Sequence, residues 1–138
     1  MLLDTHVWIW AAEGDTRRIG PKTRRLLAGT PATATAYVST ASMFEIAALH
    51  TAGRLRLGLP VERWIRESID RVGLRVVDVE ASIAVDAGLI PSTALPDPLD
   101  RLLVASARDM NMPLVTCDRK ILDYARTSRL VKVIDASK

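Results

Sequence analysis

Five acidic residues have side chains and positions suited to metal-dependent chemistry. Asp4 ends an apolar run at the start of the chain, and Glu45 lies within the first turns of a predicted helix. Asp97 and Asp100 open another predicted helix, and Asp118 follows a short apolar run. Carboxylates that lie close together repel one another, so they must either retain protons or share a cation. The five acids therefore predict a cation site, provided that the fold brings them together.

The donor atoms indicate which cation such a site would hold. Carboxylate oxygens without histidine or cysteine ligands suit Mg²⁺ or Mn²⁺ better than zinc. Cys117, His6 and His50 are the only cysteine and histidines of the chain, which are too few for a zinc site. A carboxylate-bound Mg²⁺ or Mn²⁺ can activate water and stabilise charge on a phosphoryl group. The predicted chemistry is therefore attack on a phosphate ester.

Strands that alternate with helices are predicted along the whole chain. This alternation is typical of βαβ units, in which helices cover both faces of a parallel sheet. The predicted fold class is α/β, with a central parallel sheet of about five strands in a single domain, residues 1–138. Strands are predicted at residues 1–4, 35–39, 74–79, 113–116 and 131–134. Helices are predicted at residues 6–13, 21–28, 41–51, 61–72, 81–89, 98–111 and 119–126.

The elements predict where the five acids lie. In an open parallel sheet, the carboxyl ends of the strands and the amino ends of the following helices share one edge, where α/β folds bind ligands. All five acids belong to such ends, so we expect them along a common rim. In the helix predicted at 98–111, Asp97 suits the N-cap and Pro98 the first position. Asp100 then lies about 80° from the centre of the buried stripe, directed over the edge of the sheet.

Most of the acids also have a purely structural interpretation. Asp97 suits an N-cap without any further role, and Asp100 and Asp118 complement helix dipoles. Ser42 and Glu45 have the spacing of a capping box. The first acid has no evident structural use at the end of an apolar strand. A common site explains all five positions at once, whereas the structural interpretations require the acids to coincide at one edge of the sheet by chance.

The charge distribution favours a polyanionic partner. The formal net charge is +3 and the pI is about 9.4, and a site that gathers five acids leaves the remaining surface more basic still. Such a surface attracts nucleic acid through counterion release, although solvated helix faces have the same composition. A basic surface around an acidic metal site is the arrangement expected of a nuclease. The basic residues cluster at Arg17, Arg18, Lys22, Arg24 and Arg25, at Arg54 and Arg56, and at Arg63, Arg66 and Arg71.

The cellular setting expected from the sequence is cytoplasmic. No segment has the roughly 20 apolar residues that a membrane-spanning helix needs, so no membrane association is expected. The first four residues, MLLD, lack the basic segment that begins a signal peptide. A single cysteine excludes an internal disulfide framework, which agrees with a reducing compartment.

Four stretches of the sequence resemble PIN domains, and among them the VapC-type toxins of type II toxin–antitoxin modules. Residues 1–6, MLLDTH, resemble the opening strand and first acid of the family. Residues 42–47, followed by residues 53–55, are similar to the segment that carries the second acid. Residues 97–105, DPLDRLLVA, are similar to the family's D-P-x-D-R-x-L-x-A stretch, and residues 113–118 resemble the strand with the last acid. The matches follow the family's order over nearly the whole chain.

The resemblance implies a PIN fold, dependence on Mg²⁺ or Mn²⁺, and cleavage of RNA phosphodiester bonds. It also implies a cognate antitoxin protein as a partner, within a homodimer or a toxin–antitoxin hetero-oligomer. One departure concerns the two positions before the D-P pair, where many relatives have a histidine and a basic residue but this chain has Leu95 and Pro96. A substrate contact at that place is therefore not expected. Carried over by position, the catalytic metal-site acids are Asp4, Glu45, Asp100 and Asp118, with Asp97 as an accessory acid and Thr116 orienting a carboxylate or water.

Three other functions compete with a nuclease. A phosphoacceptor receiver domain also places acids around Mg²⁺, but it has paired acids after the first strand and a lysine after the last. A haloacid-dehalogenase-like phosphatase requires a second aspartate where this chain has His6. A catalytically silent PIN-like module that only binds a partner is the third alternative, and the complete set of acids argues against it.

The large apolar side chains near the acids predict a docking surface. Tryptophans in such a domain are usually core or interface residues. A small domain is not expected to bury all of them, and exposed apolar surface beside a charged cleft suits an amphipathic segment of a partner. The side chains in question are those of Trp8, Trp10, Met43, Phe44 and Trp64.

Overall fold

The computed structural model of the protein describes residues 1–29 and 35–138. Within these ranges, five short strands form one sheet with parallel neighbours throughout, so the predicted α/β class with a central parallel sheet is confirmed. The strands are β1 (Leu2–Leu3), β2 (Tyr37–Ser39), β3 (Arg75–Val77), β4 (Leu114–Thr116) and β5 (Val133–Asp135). The helices are α1 (Thr5–Glu13), α2 (Pro21–Leu27), α3 (Thr40–Thr51), α4 (Val61–Val72), α5 (Ala81–Leu89), α6 (Pro98–Asp109) and α7 (Arg119–Ser128).

The order of the strands, β3-β2-β1-β4-β5, places β1 at the centre of the sheet. The chain moves outward from β1 to β2 and β3, and α5 and α6 then lead it to β4 on the other side of β1. This change of direction between β1 and β4 creates the crevice where open α/β sheets bind ligands. A receiver domain has the strand order 2-1-3-4-5, so the sheet contradicts the receiver alternative.

Two buried clusters cover the two faces of the sheet. Neighbouring residues of a strand point to opposite faces. Leu2 and Leu114 accordingly belong to the cluster formed with α5, α6 and α7, whereas Leu3 and Val115 belong to the cluster formed with α1, α3 and α4. The predicted placement of helices on both faces is therefore confirmed.

Two tryptophans anchor the cluster on the α1 side. The rings of Trp8 and Trp64 are buried with their centroids 5.8 Å apart. Each indole N–H is satisfied: Trp8 Nε1 donates to Ser68 Oγ at 3.1 Å, and Trp64 Nε1 donates to Glu13 Oε1 at 2.6 Å. These contacts fix α1 against α4 and thereby hold the start of α1 beside β4.

Each predicted element is present, with ends within two residues of those predicted. The largest displacement concerns β5, which was expected at residues 131–134 but spans Val133–Asp135. Val131 packs in the core with Ile121, and pairing with β4 begins two residues later, at Val133. A short 3₁₀ helix at Thr16–Arg18 was not predicted. No helix in the two described ranges is long and apolar enough to cross a lipid bilayer.

Candidate active site

The starts of the helices position all five acids. Asp4 is the N-cap of α1, Asp97 the N-cap of α6 and Asp118 the N-cap of α7. Their side chains accept hydrogen bonds from Thr5 N at 2.7 Å, Leu99 N at 2.9 Å, and Lys120 N at 2.7 Å, respectively. Asp100 lies in the first turn of α6, and Glu45 in the second turn of α3. The expectation that Asp4 has no structural use is wrong, because it caps α1.

Electrostatic interactions show that these acids form one group, called here the carboxylate cluster (Asp4, Glu45, Asp97, Asp100 and Asp118). The pKa of Asp100 is raised to about 7, first because the side chain is half-buried and then because the charges of the other four carboxylates act on it. Burial likewise raises the pKa of Asp4 and of Glu45. The sequence-predicted site residues therefore lie near one another at the β1/β4 crevice.

Asp4 is the most buried member of the carboxylate cluster, and both of its oxygens are bound. Oδ1 accepts from the Thr5 N–H, and Oδ2 accepts from the hydroxyl of Thr116 at 2.6 Å. Thr116 Oγ1 in turn accepts from the backbone N–H of Asp118 at 3.0 Å. The wholly buried Thr116 side chain thus connects the acid that follows β1 with the acid that follows β4.

Glu45 is held by Thr5, a residue that the sequence did not single out. Thr5 Oγ1 lies 2.7 Å from Glu45 Oε2 and 2.9 Å from Ser42 Oγ. The capping-box interpretation of Ser42 and Glu45 is wrong, because Ser39 is the N-cap of α3 and its side chain accepts from Ala41 N. Ser42 lies one turn before Glu45, on the buried side of the helix. The sequence did contain a signal for this contact, because a serine on the buried stripe of a helix, three residues before an acid, lies on the same face as that acid.

The donors fit a hard divalent cation in their chemistry. In the part of the chain that the structure describes, no three acidic, histidine or cysteine side chains are arranged to hold one ion. The donors nevertheless are carboxylate oxygens that repel one another, since the charges of four acids add to the effect of burial in raising the pKa of Asp100. Oxygen ligands with excess negative charge are those that Mg²⁺ and Mn²⁺ prefer. Two of these side chains are held in place, Asp4 by the Thr116 hydroxyl and Asp118 by the backbone N–H of Lys120.

We expect the metal-free protein to lose stability as the pH rises from about 4 to about 7. Unfolded Asp100 ionises near its ordinary pKa of 3.8, whereas the folded residue ionises near 7. Between these values the folded state binds more protons, so the free energy of unfolding falls as the pH increases. Asp100→Asn should flatten this dependence in thermal melts performed with a chelator. An unchanged slope in the variant would contradict the assignment.

The surface beside the carboxylate cluster carries aromatic and basic side chains. His6 is exposed at the start of α1, and its ring centroid lies 6.0 Å from that of Trp10. The Arg18 guanidinium lies over Trp10 at 5.6 Å from the ring centroid. These three residues and Arg54 line part of a cavity of about 420 Å³. All the members of the basic clusters identified in the sequence are exposed. Three of them, Arg17, Arg18 and Arg63, form ion pairs with acidic side chains.

The predicted apolar docking surface is smaller than expected. Trp8 and Trp64 are core residues, which is the usual position of tryptophans in such a domain. Trp10 and Met43 are half-buried, and the Phe44 side chain is 67% exposed. Phe44 therefore remains the main apolar group next to Glu45.

Comparison with known proteins places the chain in a family. Residues 1–127 match the family model of the PIN domain. The chain is 34% identical to "Ribonuclease VapC22" of Mycobacterium tuberculosis (strain ATCC 25618 / H37Rv) over 125 residues, which cover 90% of this chain and 91% of that protein.

Solved structures share the fold at low sequence identity. One is VapBC2 from Rickettsia felis bound to a DNA fragment from its promoter, with a TM-score of 0.65, 14% identity and 96% of each chain covered. Another is VapBC-1 from nontypeable Haemophilus influenzae, with a TM-score of 0.65 and 17% identity, covering 99% of this chain and 98% of that one.

Proposed function

Because the chain belongs to the PIN-domain family, we propose that it is a Mg²⁺- or Mn²⁺-dependent endoribonuclease that acts as the toxin of a toxin–antitoxin pair. The observation that carries this proposal is the carboxylate cluster at the β1/β4 crevice, in which burial and then the charges of four other acids raise the pKa of Asp100. A relative named as a ribonuclease, aligned over nine-tenths of the chain, supports RNA as the substrate class.

The metal would be held by Asp4, Glu45, Asp100 and Asp118, with Asp97 as an accessory acid. A bound Mg²⁺ or Mn²⁺ supplies an activated water and neutralises charge on the phosphate. The excess negative charge of the carboxylate cluster favours such an ion over a protonated, metal-free state. Hydrogen bonds from backbone N–H groups hold the carboxylates of Asp4 and Asp118 in place, so these carboxylates need little reorganisation to bind the metal.

Residues of the chain itself orient a metal ligand, exchange a proton and bind the RNA. Thr116 orients Asp4 through its 2.6 Å hydrogen bond. Asp100, with a pKa raised to about 7, is able to hold or release a proton near neutral pH when no cation is bound. The exposed arginines of the basic clusters bind the RNA backbone by charge, which predicts a steep loss of affinity with salt.

A cleavage assay tests this function. Purified protein is incubated with total RNA in Mg²⁺, in Mn²⁺ and in excess chelator, with Asp4→Asn as the inactive control. Cleavage that requires a divalent ion and Asp4 is the expected result. A wild-type protein that binds a partner but leaves RNA intact under all conditions would instead support a catalytically silent module.

We also propose an antitoxin partner that docks beside the carboxylate cluster. The solved structures named as VapBC complexes support such a partner for this chain. Phe44 and the half-buried Trp10 offer apolar contacts, and a basic side chain of the partner would pair with the cluster carboxylates. A homodimer or a toxin–antitoxin hetero-oligomer is proposed on the same grounds, to be measured by mass in solution.

We expect Phe44→Ala to weaken inhibition by the antitoxin at least tenfold, because an exposed aromatic side chain is a typical anchor for a partner segment. The candidate antitoxin is the product of a short neighbouring reading frame, and its inhibition constant is measured in the RNA cleavage assay. Leu89→Ala, which truncates an exposed apolar side chain on α5, is the matched control. A gene without such a neighbour, whose product is harmless when expressed alone, would contradict the toxin assignment.

A further inference from the structure

Thr5 occupies an unusual position between two members of the carboxylate cluster. Its backbone N–H donates to Asp4 Oδ1 at 2.7 Å, and its hydroxyl oxygen lies 2.7 Å from Glu45 Oε2. The side chain is wholly buried at the first position of α1, whereas Glu45 belongs to α3, 40 residues later. One residue therefore contacts the carboxylates of two different elements.

The direction of the hydrogen bonds follows from the number of protons. A hydroxyl has one proton to donate, and an ionised carboxylate only accepts. Thr5 therefore donates to Glu45, and the contact of 2.9 Å with Ser42 is made by the Ser42 hydroxyl donating to Thr5 Oγ1. Both hydroxyls are buried, so water does not compete for them. The hydrogen bonds from Ser42 to Thr5 and from Thr5 to Glu45 therefore end on a carboxylate oxygen, and hydrogen bonds to a charged acceptor are the strongest.

We propose that Thr5, supported by Ser42, is a positioning residue that keeps the Glu45 carboxylate within the carboxylate cluster, where it can bind the metal. This role rests on the proposed function. Glu45 is half-exposed and has three side-chain torsions, and the charge of Asp4 repels it. Without a donor at Oε2, repulsion and side-chain entropy both favour a Glu45 conformation directed into solvent. Thr5 offsets these effects, and its backbone N–H fixes Asp4 at the same time.

Three variants test this role. Thr5→Val removes the hydroxyl and keeps the shape, Thr5→Ser restores the hydroxyl, and Ser42→Ala removes only the outer donor. The matched control is Thr23→Val, because Thr23 is wholly buried and its hydroxyl has no hydrogen-bond partner among the described residues. Mn²⁺ affinity is measured by calorimetry on each purified protein, and kcat and KM are measured for RNA cleavage.

Thr5→Val is expected to weaken Mn²⁺ binding 10- to 100-fold, the usual effect of losing a group that orients a metal ligand. It should also lower kcat while KM for RNA changes little, and Thr5→Ser should restore both quantities. Ser42→Ala should have the same effects to a smaller degree, which keeps the test available if Thr5→Val does not fold. Thr23→Val should behave as the wild type.

Two results would overturn the role of Thr5. One is wild-type Mn²⁺ affinity and kcat in Thr5→Val, and the other is a Thr5→Ser protein as impaired as Thr5→Val. A crystal structure of metal-free Thr5→Val gives a result that does not depend on activity, because Glu45 should leave its position only if Thr5 holds it. A wild-type protein that neither binds Mn²⁺ nor cleaves RNA would instead refute the proposed function, whatever the position of Glu45 in the variant.

Discussion

Asp100→Asn is expected to reduce RNA cleavage at least about a hundredfold, because loss of a group that merely orients a metal ligand already costs 10- to 100-fold. Asparagine keeps the shape of the side chain and removes the charge that a metal ion requires. The fold should survive, since Asp97 rather than Asp100 caps α6 and the variant relieves repulsion among the remaining acids. The measurement is the initial rate of cleavage at saturating Mg²⁺, together with circular dichroism and a thermal melt.

The matched control for this variant is Asp109→Asn. Asp109 is the last residue of α6 and is exposed, so the same chemical change is made on the same helix but away from the crevice. Its rate of cleavage should equal that of the wild type. A folded Asp100→Asn protein with full activity would refute the proposed mechanism, and equal losses in the two variants would indicate an effect of net charge alone.

Mg²⁺ or Mn²⁺ is expected to stabilise the protein strongly. A ligand that binds only the folded state at about 100 times its Kd adds about 2.7 kcal/mol to the free energy of unfolding. For a chain of this length, that corresponds to a rise in Tm of roughly 10 °C. The repulsion among the five carboxylates is the source of the effect, since a cation offsets it. The measurement is Tm by calorimetry as a function of metal concentration, after removal of metal with a chelator.

The same variants make this second prediction specific. Without metal, Asp100→Asn should melt above the wild type at pH 8, where the folded Asp100 carboxyl is ionised and repelled by its neighbours. With metal, Asp100→Asn should gain much less than the wild type, whereas Asp109→Asn should gain as much. Melting temperatures that respond neither to metal nor to Asp100→Asn would indicate that the acids do not act as one site.

The positions of the acids could be predicted from the sequence because they depend on local rules. An aspartate directly before an apolar helix is an N-cap, and helices that follow parallel strands begin at one edge of the sheet. Asp97 with Pro98 shows this most clearly, since the predicted cap and first position are both observed. The same local rules placed Asp4 and Asp118 at strand ends, although the capping role of Asp4 was missed.

The contacts between the acids could not be predicted, because they join residues far apart in the chain. Thr5 meets Glu45 across 40 residues and Thr116 meets Asp4 across 112, and no local pattern encodes either pairing. The capping box predicted for Ser42 and Glu45 is wrong for the same reason, because a contact between distant residues decides where Ser42 points. The spacing of Ser42 and Glu45 suits a cap, but the helix begins earlier, and Ser42 is directed toward Thr5 by packing between α1 and α3.

Burial of the tryptophans likewise depends on packing rather than on composition. Trp8 and Trp64 come from α1 and α4 and cover each other, and each finds a hydrogen-bond acceptor for its indole N–H. From the sequence we expected that not all of the five large apolar side chains would be buried, but no local pattern indicated which of them would be. Only the arrangement of the two helices separates the core pair from the exposed side chain.

The central claim is that carboxylates from four separate stretches of the chain hold one metal site. Anomalous scattering from crystals soaked in Mn²⁺ tests it most directly. The account predicts a manganese peak at the β1/β4 crevice, within about 2.5 Å of oxygens from at least three of Asp4, Glu45, Asp100 and Asp118. A peak bound to a different set of residues, or no peak at the crevice in crystals that are fully accessible to solvent there, would contradict it.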